Sequence, residues 1–191
     1  MAIRIITDST ADFTRAEAEE LGLEVVALRT RFGAEEYIDG VTISPREFYE
    51  KLVESDELPT TSQPSPAEFE AAYERVLGPG DEAVVITISS ALSGTCQSAT
   101  IAAERFEGRV QGVDSLNASI GTQILVRRAL QLAPGAASAA ELAARLREER
   151  ERVCVIALLD TTVRRELGSD IAAACGQLRR AEAGKAGDGT K

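Results

Sequence analysis

Residues 82–89, "EAVVITIS", carry the strongest strand signal in the chain. Val84, Val85, Ile86 and Ile88 form an apolar, β-branched run with no alternation between buried and exposed positions. A strand of that kind is covered on both faces, as in a parallel sheet flanked by helices. The segment that follows, "SALSGTCQSATIAAERF" (90–106), turns polar at once and then starts a helix near Ser93 or Gly94.

The same strand-to-helix alternation extends to either side. "IRIITD" (3–8) is a second buried strand, and Thr14, Glu17 and Gly22 mark the start and stop of a helix. "LEVVALRTRF" (23–32) is expected as one strand, with "EEYID" (35–39) as a hairpin arm. Ser44-Pro45 with Glu47, and Ser65-Pro66 with Glu68, are two well-marked helix starts. Between them "LPTTSQPSP" (58–66) has no apolar period and is expected as a loop fixed by its prolines. "GRVQGVDS" (108–115) is a strand, and "NASIGTQILVRRALQLA" (117–133) a helix ended by Pro134-Gly135. Ser138 can cap the next helix, and "VCVIALLD" (153–160) is expected as a further buried strand. Residues 161–191 suit one or two short helices and a tail with little to bury. The alternation implies an α/β domain, a mainly parallel sheet with helices on both faces.

Composition narrows the function. The formal net charge of −10 disfavours nucleic acid and anionic membrane surfaces as partners. At 4% aromatics and no Trp, a base-stacking platform is unsupported. The chain has no His, which rules out Ser-His-Asp and Cys-His catalysis within it. Its three cysteines, Cys96, Cys154 and Cys175, are scattered and indicate neither a zinc site nor a disulfide framework. No leader or spanning segment is evident, so a cytoplasmic protein is expected, with no stable membrane insertion.

In parallel sheets ligands sit beyond the carboxyl ends of the strands, and the polar residues fall there. Thr7, Asp8, Ser9 and Thr10 follow the first strand; Ser89, Ser90, Ser93, Gly94 and Thr95 follow the 82–89 strand; Asp114, Ser115, Asn117, Ser119 and Gly121 follow the 108–115 strand. Thr60, Thr61, Ser62 and Gln63 of the proline-bounded stretch add a fourth group. Such residues are also the ordinary caps and turn formers of strand-to-helix loops. The Ser-Gly pair at 93–94 stands apart, because it lets free amides at a helix start approach an anion closely. No Lys follows that glycine, so a Walker loop is absent. What remains is a neutral, hydroxyl-rich cradle for a carboxylate or a single phosphate. Cys96 in the first turn of that helix is read as a packed, inert thiol.

Four stretches taken together, "ITDSTADF", "LPTTSQPSPAEFEAAY", "ISSALSGTCQSA" and "VDSLNASIG", resemble the DegV family of bacterial fatty-acid-binding proteins. The resemblance covers about residues 3–160 in order and spacing. It implies a carrier that encloses one long-chain fatty acid between two domains and presents its carboxylate to a separate ATP-dependent fatty acid kinase, with no cofactor and no catalysis of its own. By motif the headgroup residues fall on Thr61 and Ser93, with Ser62 and Gly94 as second contacts. Asp8, Ser9, Thr60, Thr95, Asp114 and Ser115 are expected to shape the site. Residues 1–160 would be the headgroup-binding domain, and 161–191 would stand in place of the family's second domain, which is expected to be largely missing, since the usual "GGR" entry is absent after "ALLDT". An exposed apolar patch is expected where that second wall would sit. Cys96 stands where the family usually has an aromatic. Two other readings compete: a small-molecule phosphate-binding enzyme domain of the dihydroxyacetone-kinase type, and a partner-docking domain that binds no lipid.

Overall fold

The computed structural model describes residues 2–55 and 57–156. Its centre is a parallel sheet of β1 (Ile3–Asp8), β2 (Glu24–Val26), β6 (Glu82–Thr87) and β7 (Val110–Asp114), in the order β2-β1-β6-β7. Side-chain alternation along these strands sorts two cores. Ile5, Val84, Ile86 and Val113 pack with Ala18 of α1 (Arg15–Leu21), Leu125, Val126 and Ala129 of α5 (Ile120–Leu132), and Leu142 and Leu146 of α6 (Ala139–Glu149). Ile6, Ala83, Val85 and Val110 face the other way. They pack with Phe69, Ala72 and Tyr73 of α3 (Pro66–Val76) and Ala99 and Ala102 of α4 (Thr95–Ala103). Burying each large side chain on either face contributes about 1.5–3 kcal/mol.

The continuous apolar reading of β6 is thus explained, and the expected α/β fold with helices on both faces is present. From β1 the chain moves to β2 on one side, whereas β6 and β7 lie on the other. The direction of winding changes between β1 and β6, which places the ligand-binding crevice of such a sheet at their carboxyl ends.

The expected single strand at 23–32 is in fact two. β2 ends at Val26, where the Leu28 amide donates to the Ser9 hydroxyl (3.1 Å) rather than to a neighbouring strand. The chain then joins a second, antiparallel sheet of β4 (Glu35–Ile38), β3 (Arg29–Phe32) and β5 (Thr60–Ser62), in the order β4-β3-β5. β5 corrects the reading of 58–66 as a loop alone: Thr60, Thr61 and Ser62 pair with Arg31, Thr30 and Arg29. The threonines suit a pleated edge, and Pro59 and Pro64 on either side keep the strand short. α2 (Pro45–Glu54) packs on this sheet through Phe48 against Phe32, with ring centroids 5.6 Å apart.

Capping boxes form at Thr14/Glu17, Ser44/Glu47 and Ser65/Glu68, as the sequence implies, and the Ser138 hydroxyl caps α6. The strand expected at 153–160 is not found over 153–156, where the Val153 carbonyl accepts instead from the Asn117 side-chain amide (3.3 Å). Residues 157–160, and the segment 161–191 read as a separate unit, lie outside the described residues.

Candidate functional site

Asp8, the last residue of β1, is fully buried and ties the two central strands together. Its Oδ2 accepts from the Ile88 amide (2.8 Å), and its Oδ1 accepts from the amide of Thr10 (2.9 Å) and from the Thr10 hydroxyl. Burial pushes the Asp8 carboxyl above the usual carboxylate range, and these donors oppose that rise. Ser9 turns aside to hold Leu28. Both residues therefore shape the strand ends from within.

The loop after β6 is a tight turn. The Ser89 carbonyl accepts from the amides of Leu92 (2.9 Å) and Ser93 (3.1 Å). Ser90 is held outward by Asp114, whose Oδ1 accepts from the Ser90 amide (3.1 Å) and whose other oxygen takes its hydroxyl. The turn delivers Ser93 and Gly94 to the start of α4. There the Ser93 and Thr95 hydroxyls are bonded at 2.9 Å, and the Thr95 amide donates to Ser93 Oγ (3.3 Å). Thr95 is buried and Ser93 half-buried, so the pair presents one partly accessible hydroxyl with a fixed neighbour. Cys96 follows, half-buried, in the same first turn.

Four of the helices, α1, α2, α3 and α6, start on a Ser or Thr cap. α4 and α5 start at Gly94 and Ser119 without a cap from the side chain of the N-cap residue itself, although Ser93 Oγ already accepts the Thr95 amide. These two follow β6 and β7 directly, so both amino ends lie at the carboxyl edge of the parallel sheet, where their amides and dipoles favour an anion.

Thr60, Thr61 and Ser62 are exposed along β5. Their route to α4 is Gln63, whose side-chain amide donates to the hydroxyl of buried Ser98 (3.1 Å) and rests against the Cα of Gly94. The group predicted after the 108–115 strand divides. Asp114 ties Ser90 to the Leu116 amide (3.0 Å). Ser115 is buried in the β7–α5 turn, its hydroxyl bonded to the Asn117 carbonyl (3.0 Å) and to Thr122 (3.1 Å). Gln63, Ser98 and Thr122 hold the arrangement together, and no role was assigned to them from sequence. Gln63 and Ser98 lie inside two of the motif stretches, but their pairing joins β5 to α4 across 35 residues and no local pattern shows it.

Leu92, Leu116 and Ile120 are exposed at this same edge, at 54%, 45% and 52%, and Ile124 follows Ile120 one turn along α5. The β1, β5, β6 and β7 loops contain no Lys or Arg. Arg150 reaches the end of β7 from beyond α6, donating to the Asp114 carbonyl (2.7 Å); the loops themselves combine hydroxyls, helix-start amides and exposed aliphatic side chains, a chemistry suited to a ligand with an oxyanion and an apolar body. A cavity of about 750 Å³ lies between α1, β2 and the start of α2, adjoining the edge at Ser9 and Asp12, and of the predicted residues it touches only Ser9. Among the described residues no helix is long and apolar enough to cross a membrane.

Comparison with known proteins converges on one family. Residues 2–165 match the family described as "Uncharacterised protein, DegV family". A DegV domain-containing protein of Deinococcus radiodurans is 43% identical over 132 residues, covering 69% of this chain and 47% of its own length. One from Caldanaerobacter subterraneus is 35% identical over 160 residues, covering 83% and 57%. The chain thus spans about half the length of the curated relatives it matches. Among solved structures, a fatty-acid-binding DegV family protein from Thermus thermophilus superposes with a TM-score of 0.71 at 39% identity, over 79% of this chain and 54% of that one. DegV of Bacillus subtilis, described as a fatty acid binding protein, superposes at 0.72 with 30% identity, over 79% and 54%. The Fatty Acid Kinase (Fak) B3 protein of Streptococcus pneumoniae, solved with linoleic acid, shares the fold at 22% identity and a TM-score of 0.66, over 79% and 55%. With the motifs of β1, β5, β6 and β7 in place and the family matched over most of its length, the chain belongs to the DegV family.

Proposed function

We propose that this chain is the headgroup-holding part of a fatty-acid carrier. The Thr61 and Ser93 hydroxyls, with the Ser62 hydroxyl and the Gly94 amide beside them, hold the carboxylate of a long-chain fatty acid. The acyl chain leaves across the aliphatic edge of Leu92, Leu116 and Ile120. Asp8, Ser9, Thr60, Thr95 and Asp114 hold the loops in place. The chain performs no catalysis. It presents the carboxylate to a separate fatty acid kinase, which forms the acyl phosphate, and because that step consumes ATP the exchange belongs in the cytoplasm.

One observation carries this reading: α4 starts at Gly94, which has no capping side chain, behind the Ser93–Thr95 hydroxyl pair at the carboxyl edge of the sheet, and Gln63 ties that start to β5. Relatives described as fatty-acid-binding proteins, at 39% and 30% identity, support the choice of ligand. A neutral cradle also suits a carrier. Hydroxyls and amides offset the desolvation of a carboxylate, whereas a buried cation would oppose release.

Native mass spectrometry of the purified chain tests the reading. Co-purified long-chain fatty acid that disappears in Thr61→Ala and Ser93→Ala is the expected result. Protein that arrives empty, and stays empty with added oleate, while still binding the kinase would replace lipid carriage with docking alone. Turnover of a small phosphorylated compound by the chain itself would move it to the enzyme reading.

A further inference from the structure

The two hydroxyls of the proposed cradle come from different sheets. Thr61 lies on β5, at the edge of the antiparallel sheet, and Ser93 lies at the end of the β6–α4 turn. Their spacing must be set by something that crosses from one unit to the other. Gln63 makes that crossing, one residue after β5 ends. Its Nε2 donates to Ser98 Oγ at 3.1 Å, and Ser98 is 3% exposed in the second turn of α4. The same carboxamide lies flat on Gly94. A Cβ at position 94 would overlap its oxygen and come within 2.8 Å of its carbon and nitrogen. Gly94 has φ −74°, a backbone any residue adopts, so the dihedral sets no demand for glycine; a side chain at 94 would instead push the Gln63 carboxamide off its place.

We propose that Gln63 is the positioning residue of the headgroup cradle, a latch whose carboxamide spans from β5 to α4 and fixes the separation of the Thr61 and Ser93 hydroxyls. This rests on the reading that those hydroxyls hold a carboxylate. The latch works only with a glycine at 94, so the two positions form one device. Pro64 follows Gln63 directly and is buried, which restricts the backbone from which the side chain reaches across.

The device has a suppressor test. Gly94→Ala drives a methyl group into the Gln63 amide, and Gln63→Ala removes that amide. Oleate affinity, measured by titration, should fall roughly three- to tenfold in Gln63→Ala, as for loss of one hydrogen-bonded positioning contact. It should fall further in Gly94→Ala. The double variant should bind no more weakly than Gln63→Ala alone, because the methyl group then has nothing to strike. Amide resonances give an independent reading. Gly94→Ala should shift the Thr61 and Ser62 amides, and adding Gln63→Ala should abolish that shift. Thermal unfolding checks that each variant is folded. Additive losses in affinity, or Thr61 and Ser62 amides that do not respond to Gly94→Ala, overturn the latch. Wild-type protein that binds no oleate counts against the carboxylate reading alone, and the amide shifts then decide whether Gln63 couples β5 to α4.

Discussion

The Asp8 carboxylate accepts the Ile88 backbone amide at 2.8 Å, joining the end of β1 to the first residue beyond β6. These are the two strands between which the direction of winding changes, and Ile88 opens the turn that carries Ser93. The bond therefore holds the floor of the cradle. It does so with a group that burial would rather keep protonated.

That conflict has a pH signature. Because the Asp8 carboxyl sits above its ordinary value in the folded chain, the native state holds this proton more tightly than the unfolded state does. Its contribution to stability is complete below the unfolded value of about 3.9 and is lost as pH rises through the higher folded value. Asp8→Asn cannot titrate. The unfolding free energy of Asp8→Asn relative to wild type should therefore shift in favour of the variant as pH rises across that window, then level off. Urea melts in a series of buffers measure it, and a difference that does not vary with pH would show that Asp8 titrates alike in both states.

Thr87, the last residue of β6, is 1% exposed, and its hydroxyl has no hydrogen-bond partner among the described residues. Strand alternation puts it on the same face as Ala83 and Val85, under the start of α4. A buried hydroxyl without a partner costs about 1–3 kcal/mol. Thr87→Val keeps the shape and deletes the cost, so the urea midpoint should rise with an unchanged slope, by about 1 kcal/mol of stability. A lowered midpoint would mean that the hydroxyl is bonded in solution.

Much of this was legible in the sequence because it is local. The run Val84-Val85-Ile86 announced a strand covered on both sides, and Thr14, Ser44 and Ser65, each three residues before a Glu, announced capping boxes that formed. What escaped is long-range. β2 ends at Val26 because the Ser9 hydroxyl, 19 residues away from Leu28, takes the amide that would have continued the ladder. β5 carries no apolar alternation because all three of its residues are exposed. Gln63 and Ser98, 35 residues apart, meet only once the two sheets are assembled. Ser115 was expected to shape the site, and its partners lie in its own β7–α5 turn, where its hydroxyl meets Asn117 and Thr122.

The aliphatic edge makes a surface prediction. Leu116 sits at φ 55°, in the left-handed region uncommon for a non-glycine residue, and is exposed together with Ile120. Leu116→Ser with Ile120→Ser should lower binding of the hydrophobic dye ANS. It should alter unfolding free energy by no more than about 0.5 kcal/mol, as for surface positions without buried contacts. Unchanged dye binding with a large loss of stability would place both side chains in the core of the solution structure.

The Ser93–Thr95 pair makes the sharpest prediction for the ligand. Thr95 is fully buried, and its hydroxyl lies 2.9 Å from Ser93 Oγ. When Thr95 donates in that bond, the Ser93 proton is free to point outward at a carboxylate. Thr95→Val keeps the buried volume, removes the donor and lets the Ser93 hydroxyl rotate. Oleate affinity should fall roughly three- to tenfold, the value of one oriented hydrogen bond. Ser93→Ala should cost at least as much. Once Ser93 is alanine, adding Thr95→Val should cost nothing more, because the threonine acts only through the serine. Equal losses from Thr95→Val in the presence and absence of Ser93 would show instead that Thr95 acts on the ligand by itself or through the packing of α4.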